Sequence, residues 1–162
     1  YSGALPFDIA ALWSPVTHAV LHGGWLHFGM NIGMLMAFGA GLEKQRGGKS
    51  LLVIFTISVL GGAAAQFILA PDSAMPMIGA SGGISGLFGA ALMLMAQHAA
   101  GHGAPLRAHL RHMLPFVAVW IGISVFFGMV GMPGAGEQPI AWAAHVGGFI
   151  AGIAATARKS RA

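Results

Sequence analysis

Cysteine is absent from the 162-residue chain, which excludes disulfides and thiolate metal sites and leaves the redox compartment open. Charge is scarce. Asp, Glu, Lys and Arg make up 7% of residues, against about 25% in an ordinary soluble domain. Hydrophobic residues reach 56% and the mean hydropathy is +0.76, which places the chain among membrane proteins. An initiating Met is also absent. The chain opens on Tyr1, and the expectation is a fragment or a processed product. No basic run followed by a short apolar core opens it, so the pattern of a signal peptide is missing. The formal net charge of +4 does not point to nucleic acid. The cations fall in three separate clusters, with no basic face and no interleaved aromatics on which bases would stack.

What is present is a series of apolar stretches. Five spans are expected, at about 26–42, 50–70, 81–98, 113–131 and 140–157, each close to the ~20 residues a helix needs to cross the hydrocarbon core. The links are short and punctuated by Pro and Gly: "EKQRGGK", "PDSAMPMIGA", "AAGHGAPLRAHLRH" and "PGAGEQP". All 8 basic residues follow the first, third or fifth span: Lys44, Arg46 and Lys49; Arg107 and Arg111; Arg158, Lys159 and Arg161. Asp8, Asp72 and Glu137 fall on the other side. The positive-inside rule then predicts a cytoplasmic C-terminus and an external Tyr1. Residues 1–25, broken by Pro and polar groups, read as an external segment at the outer interface, where Trp13 is at home.

Polar groups inside a bilayer are costly and mark candidate functional positions. Few qualify here. His27 and Asn31 share one helix face at i, i+4 spacing. Ser81 and Ser85 open the third span, and His145 lies in the outer part of the fifth. A hydroxyl, an imidazole and an Asn–His pair at similar depth are the parts of an acyl-transfer site. The hydroxyl attacks a carbonyl, the imidazole takes its proton, and amide or imidazole donors hold the oxyanion. With Asp8, Asp72 and Glu137 in loops and Glu43 on the other side, this is a Ser–His dyad rather than a triad. Each residue also has a plainer reading: a Ser bonding the carbonyl four residues back, or an Asn or His joining helices.

Backbone accounting separates the two serines of "GASGGISGLFGA" (79–90). The preceding loop runs straight into Ser81, so Ser81 is expected at a helix N-terminus. The first N–H groups there, including that of Gly82, lack intrahelical acceptors and suit a developing oxyanion. Ser85 lies one turn further in, its N–H spent on the carbonyl of Ser81, and reads as a small packing residue. Gly82, Gly86 and Ala90 on the third span, and Ala144, Gly148 and Gly152 on the fifth, form small-xxx-small faces. These let two helices approach closely and would bring the serine beside His145.

Three segments together resemble the rhomboid intramembrane serine proteases: "HAVLHGGWLHFGMN" (18–31), "GASG" (79–82) and "AHVGGFIAG" (144–152). The resemblance covers nearly the whole chain. It implies an all-α polytopic bundle holding the second to sixth helices of a six-helix core, with the first absent. It implies Ser81 as nucleophile, His145 as general base, and His27 with Asn31 at the oxyanion hole. It also implies that substrates are transmembrane segments cut near their outer end. Trp13-Ser14 stands where many members carry Trp-Arg. Neither a cofactor nor a metal is expected, and the partners are membrane-protein substrates and the lipid bilayer. The expected location is a bacterial inner (plasma) membrane. Two other functions compete: a catalytically silent relative that binds membrane proteins, and a small transporter using intramembrane His.

His18 and His22 share helical spacing, but no acid or thiol completes a metal site with them, and His22 is expected to line the external cavity and bond loop backbone. His98, His102, His109 and His112 are expected in or beside a solvated link. Trp120, Phe126 and Phe127 are expected to face lipid, on a span that the resemblance suggests as a lateral gate.

Overall fold

The computed structural model describes residues 12–71, 73, 76–101, 103–130 and 141–157, the side chain of Phe127 apart. Every regular element among them is helical. The short α1 (Ser14–Thr17) leads through a 3₁₀ turn (His18–Val20) to five longer helices. These are α2 (Trp25–Arg46), α3 (Gly48–Leu69), α4 (Ser81–Ala100), α5 (Leu106–Val130) and α6 (Trp142–Ala157). Helices α2 to α5 carry apolar spans of 20–22 residues, or about 30–33 Å at ~1.5 Å per residue, enough to cross a membrane. The described part of α6 is shorter, with 16 residues. The chain is a multi-pass integral membrane protein.

Three of the expected boundaries move outward. Helix α2 runs on through Lys44 and Arg46, so the link to α3 shrinks to Gly47, whose φ of +79° only glycine adopts readily. Helix α4 reaches Ala100, two residues past the expected end at His98. Helix α5 begins at Leu106, taking Arg107, His109, Arg111 and His112 out of the expected loop. Hydropathy marks where the apolar stretch ends, but helical hydrogen bonding continues into the interface, where charged side chains reach water. Pro115 lies inside α5. Its missing N–H is tolerable where neighbouring groups re-satisfy the freed carbonyl.

Helix α4 is the hub. Two thirds of its span (67%) is buried, against 17–22% for α2, α3 and α5. One core cluster joins it to α2 and α3 through Leu42, Ile54, Leu87, Ala90 and Leu94. A second joins it to α5 and α6 through Leu92, Met93, Ala96, Met113 and Phe149. Large apolar side chains such as Phe67, Val119 and Ile150 point outward. That inversion of the soluble pattern is what a lipid solvent permits, because lipid tails are as apolar as these side chains.

Small residues set the distances. A Cβ on Gly148 or on Gly152 would collide with the carbonyl oxygen of Gly82 or of Gly86, respectively. The expected α4–α6 contact is therefore backbone against backbone. Helix α3 presses on α6 as closely, a second contact of α6 beyond the expected one. A Cβ on Gly62 would stand 2.7 Å from the Ala144 carbonyl oxygen. Ser58 lies between, fully buried, its hydroxyl donating to the Ile54 carbonyl at 2.7 Å.

Candidate active site

Ser81 is the first residue of α4. Ala80 precedes it and supplies no side-chain cap. The first helical hydrogen bond runs from Ile84 N–H to the Ala80 carbonyl at 3.0 Å, which leaves the N–H groups of Ser81, Gly82 and Gly83 ahead of the ladder. A Ser, Asp or Asn at position 80 would occupy one of these donors. Alanine keeps them open at the positive end of the helix dipole.

His145 lies in the first turn of α6, and its Nε2 stands 2.8 Å from Ser81 Oγ. The contact joins residues 64 apart in sequence and is set by the glycine-lined α4–α6 approach. In the tautomer protonated on Nδ1, the hydroxyl donates to Nε2, the geometry in which an imidazole takes a proton from a nucleophile. Ser85 is turned to another use. It is buried, and its hydroxyl donates to the Ser81 carbonyl at 2.7 Å.

His27 and Asn31 share one face of α2, and that face meets the loop before Ser81. Gly79, with φ +106°, passes so close that a Cβ there would lie 2.7 Å from His27 Nε2 and 3.9 Å from Asn31 Nδ2. Asn31 is buried. Its amide donates to the His27 carbonyl at 2.8 Å, and its Oδ1 has no partner among the described residues. The Gly23 N–H donates to His27 Nδ1 at 3.3 Å, which leaves Nε2 as the protonated nitrogen facing Gly79. Two side-chain donors thus face the loop leading into Ser81.

The segment before α2 braces this loop. The Gly79 N–H donates to the His18 carbonyl at 2.9 Å, and the His18 ring bonds the Ser14 carbonyl through Nδ1 at 3.0 Å. His18 is buried, and loss of water pushes its pKa below the usual histidine value, the bond to Ser14 only partly opposing it. The loop-backbone bond expected of His22 is made by His27 instead. His22 Nε2 is buried with no hydrogen-bond partner among the described residues, and its ring lies edge-on to His27 at 5.1 Å.

A family model described as Rhomboid domain matches residues 10–162. The chain belongs to the rhomboid family. It is 30% identical over 141 residues to RHOMBOID-like protein 5 of Arabidopsis thaliana, covering 87% of this chain and 42% of that protein. Rhomboid protease GluP of Bacillus subtilis is 30% identical over 145 residues, 90% of this chain and 25% of the relative. Rhomboid protease GlpG of Yersinia pseudotuberculosis is 31% identical over 142 residues, 88% and 46% respectively. The chain spans less than half the length of each of these relatives.

Other parts of this rhomboid domain differ from expectation. Trp120 is not lipid-facing bulk. It is half-buried, its ring 5.0 Å from Phe88 and 6.4 Å from His145, with Nε1 buried and without a partner among the described residues. Phe126 is exposed, as expected of a lipid-facing residue. His109 is buried rather than solvated, its Nε2 3.1 Å from the Gly101 carbonyl at the end of α4. Among the described residues no three His, Asp or Glu side chains gather as metal ligands. Of the acids, Glu43 is described, near the C-terminal end of α2 and away from His27. Asp8, Asp72, Glu137, His102, the Phe127 side chain and the basic tail (Arg158, Lys159, Arg161) lie outside the described residues.

Proposed function

We propose that the protein is an intramembrane serine endopeptidase that cuts transmembrane segments near their outer end. The observation that carries the reading is the 2.8 Å contact between Ser81 Oγ and His145 Nε2 at an uncapped helix N-terminus. The family and the relatives named rhomboid proteases support it. Ser81 Oγ attacks the scissile carbonyl carbon while its proton passes to His145 Nε2. The oxyanion that forms is held by the N–H groups of Ser81 and Gly82, with Asn31 Nδ2 and His27 Nε2 as side-chain donors. The imidazolium then protonates the leaving amine and the C–N bond breaks. Water enters, gives a proton to His145 and attacks the acyl ester. Collapse returns the proton to Ser81 and releases a carboxylate. Gly86, Gly148 and Gly152 act at a distance, by holding α4 and α6 close.

The charge pattern supports a cytoplasmic C-terminus, with the site toward the outer face, and the relatives from Bacillus subtilis and Yersinia pseudotuberculosis support a bacterial inner (plasma) membrane. A binding protein without activity would need neither the hydroxyl–imidazole pair nor the open donors. The test reconstitutes the protein with a tagged single-span substrate and compares wild type, Ser81→Ala and Ser85→Ala. Cleavage by wild type and Ser85→Ala, and none by Ser81→Ala, is the expected result. Equal cleavage by all three overturns the assignment.

A further inference from the structure

At the level of Gly62 and Ala144, α3 and α6 touch backbone to backbone. Toward the N-terminus of α3 the space between them is not filled. Helix α3 presents Ile57, Ile54 and Val53 there, and α6 answers with the methyl groups of Ala151, Ala154 and Ala155. The result is a groove of about 410 Å³. Its α6 wall begins six residues beyond His145 and runs to the tenth, about 9–15 Å along the helix at ~1.5 Å per residue, and it shares no residue with the site above.

One end of this apolar groove is polar and positive. Arg46 from the last turn of α2, and Lys49 and Ser50 from the first turn of α3, complete its wall. Neither cation has an ion-pair partner among the described residues. Glu43, the nearest acid in sequence, lies against Gly48 and is not part of the groove wall. Among the described residues no side chain caps α3, and its first ladder bond is Leu51 N–H to the Gly47 carbonyl. The N–H groups of Lys49 and Ser50 therefore remain as donors.

We propose that this groove binds one anionic phospholipid of the leaflet on the Arg46–Lys49 side. An acyl chain lies along Val53, Ile57 and Ala154, and the phosphate meets Arg46, Lys49 and the open first turn of α3. Charge complementarity selects the ligand: two unpaired cations and open N–H donors stand at the mouth of a slot with apolar walls. A zwitterionic headgroup would bring its own cation to a place that already holds two.

Native mass spectrometry of the purified full chain, titrated with dioleoylphosphatidylglycerol or dioleoylphosphatidylcholine, tests this. The anionic lipid should fill one saturable site that the zwitterionic lipid fills poorly. Replacing both cations (Arg46→Ala with Lys49→Ala) should weaken it about 25-fold, at about five-fold per basic residue. Ala154→Leu, on a lipid-exposed position where leucine suits the helix, should block the slot and displace the lipid with both cations still present. Removing the same charge elsewhere, by Arg107→Ala with Arg111→Ala, should leave binding unchanged. Equal affinity for the two lipids would overturn the proposal. So would equal weakening by both double variants, which marks diffuse surface charge, or unchanged binding in Ala154→Leu. A dimer that dissociates in Ala154→Leu without any change in lipid binding would assign the groove to a second copy and likewise overturn it. If Ala154→Leu fails to fold, the comparison of the two double variants decides alone.

Discussion

Gly148→Ala should uncouple α6 from α4. The added methyl would collide with the carbonyl oxygen of Gly82 and stand 3.1 Å from the carbonyl oxygen of Ser58. Both are backbone atoms, and neither can move as a side-chain end would. Overpacking of this kind costs about 3 kcal/mol at the upper end of its usual range. Alanine returns about 1 kcal/mol as the better helix former, so the net loss is about 2 kcal/mol. The shift needed to relieve the clash is on the order of 1 Å, and it falls on the helix that carries His145. The Ser81–His145 separation, now 2.8 Å, would then pass the ~3.5 Å limit of a hydrogen bond. A misplacement of that size costs about 100-fold in rate. Unfolding in detergent micelles and cleavage in proteoliposomes measure the two effects. Gly41→Ala is the control, since no described residue comes within 4 Å of its Cβ position. It should gain up to ~1 kcal/mol and retain activity. If Gly148→Ala unfolds and cleaves like Gly41→Ala, the account of how the helices hold the site is wrong.

Two further outcomes follow from the same geometry. Asn31→Ala should lower kcat by about 100- to 1,000-fold, the usual cost of losing an oxyanion donor, with little change in unfolding, because its amide bonds only its own helix. The His18 segment should loosen in acid. Its folded pKa lies below the usual 6.5, so the opened segment binds more protons than the closed one. Its stability is complete above pH ~6.5 and falls as the pH drops toward the folded value. Hydrogen exchange at the Gly79 amide, which is bonded to the His18 carbonyl, should therefore quicken below pH 6.5 beyond the intrinsic trend, and His18→Asn should remove the effect.

The sequence carried the start of α4 and its contact with α6, because both are written locally: a loop ending at Ser81, and glycines every four residues. The contact of α3 with α6 rests on Gly61, Gly62 and Ser58, of which only Ser58 and Gly62 stand four apart, a weaker periodic mark than the repeats on α4 and α6. His109 belongs to α5 rather than to a link because the helix starts at Leu106, ahead of the apolar stretch, whereas Trp120 lies within the expected span and its burial is a matter of which face meets α4. Once it starts at Leu106, His109, Met113, Val117, Trp120 and Ser124 form one helical stripe that turns away from solvent and lipid. Gly79 had no signal beyond its place in "GASG". Its positive φ and its approach to His27 are tertiary facts, set by where α2 stands. The groove below Ala151 depends on how two helices diverge, and no periodicity in one helix reports that.

Active-site phosphonylation bears most directly on the central claim. The protein in micelles is treated with a fluorophosphonate and the modified residue is mapped by peptide mass spectrometry. The account predicts a single adduct on Ser81, lost in His145→Ala and retained in Ser85→Ala. An adduct on Ser85, or one on Ser81 that forms at the same rate without His145, would contradict it.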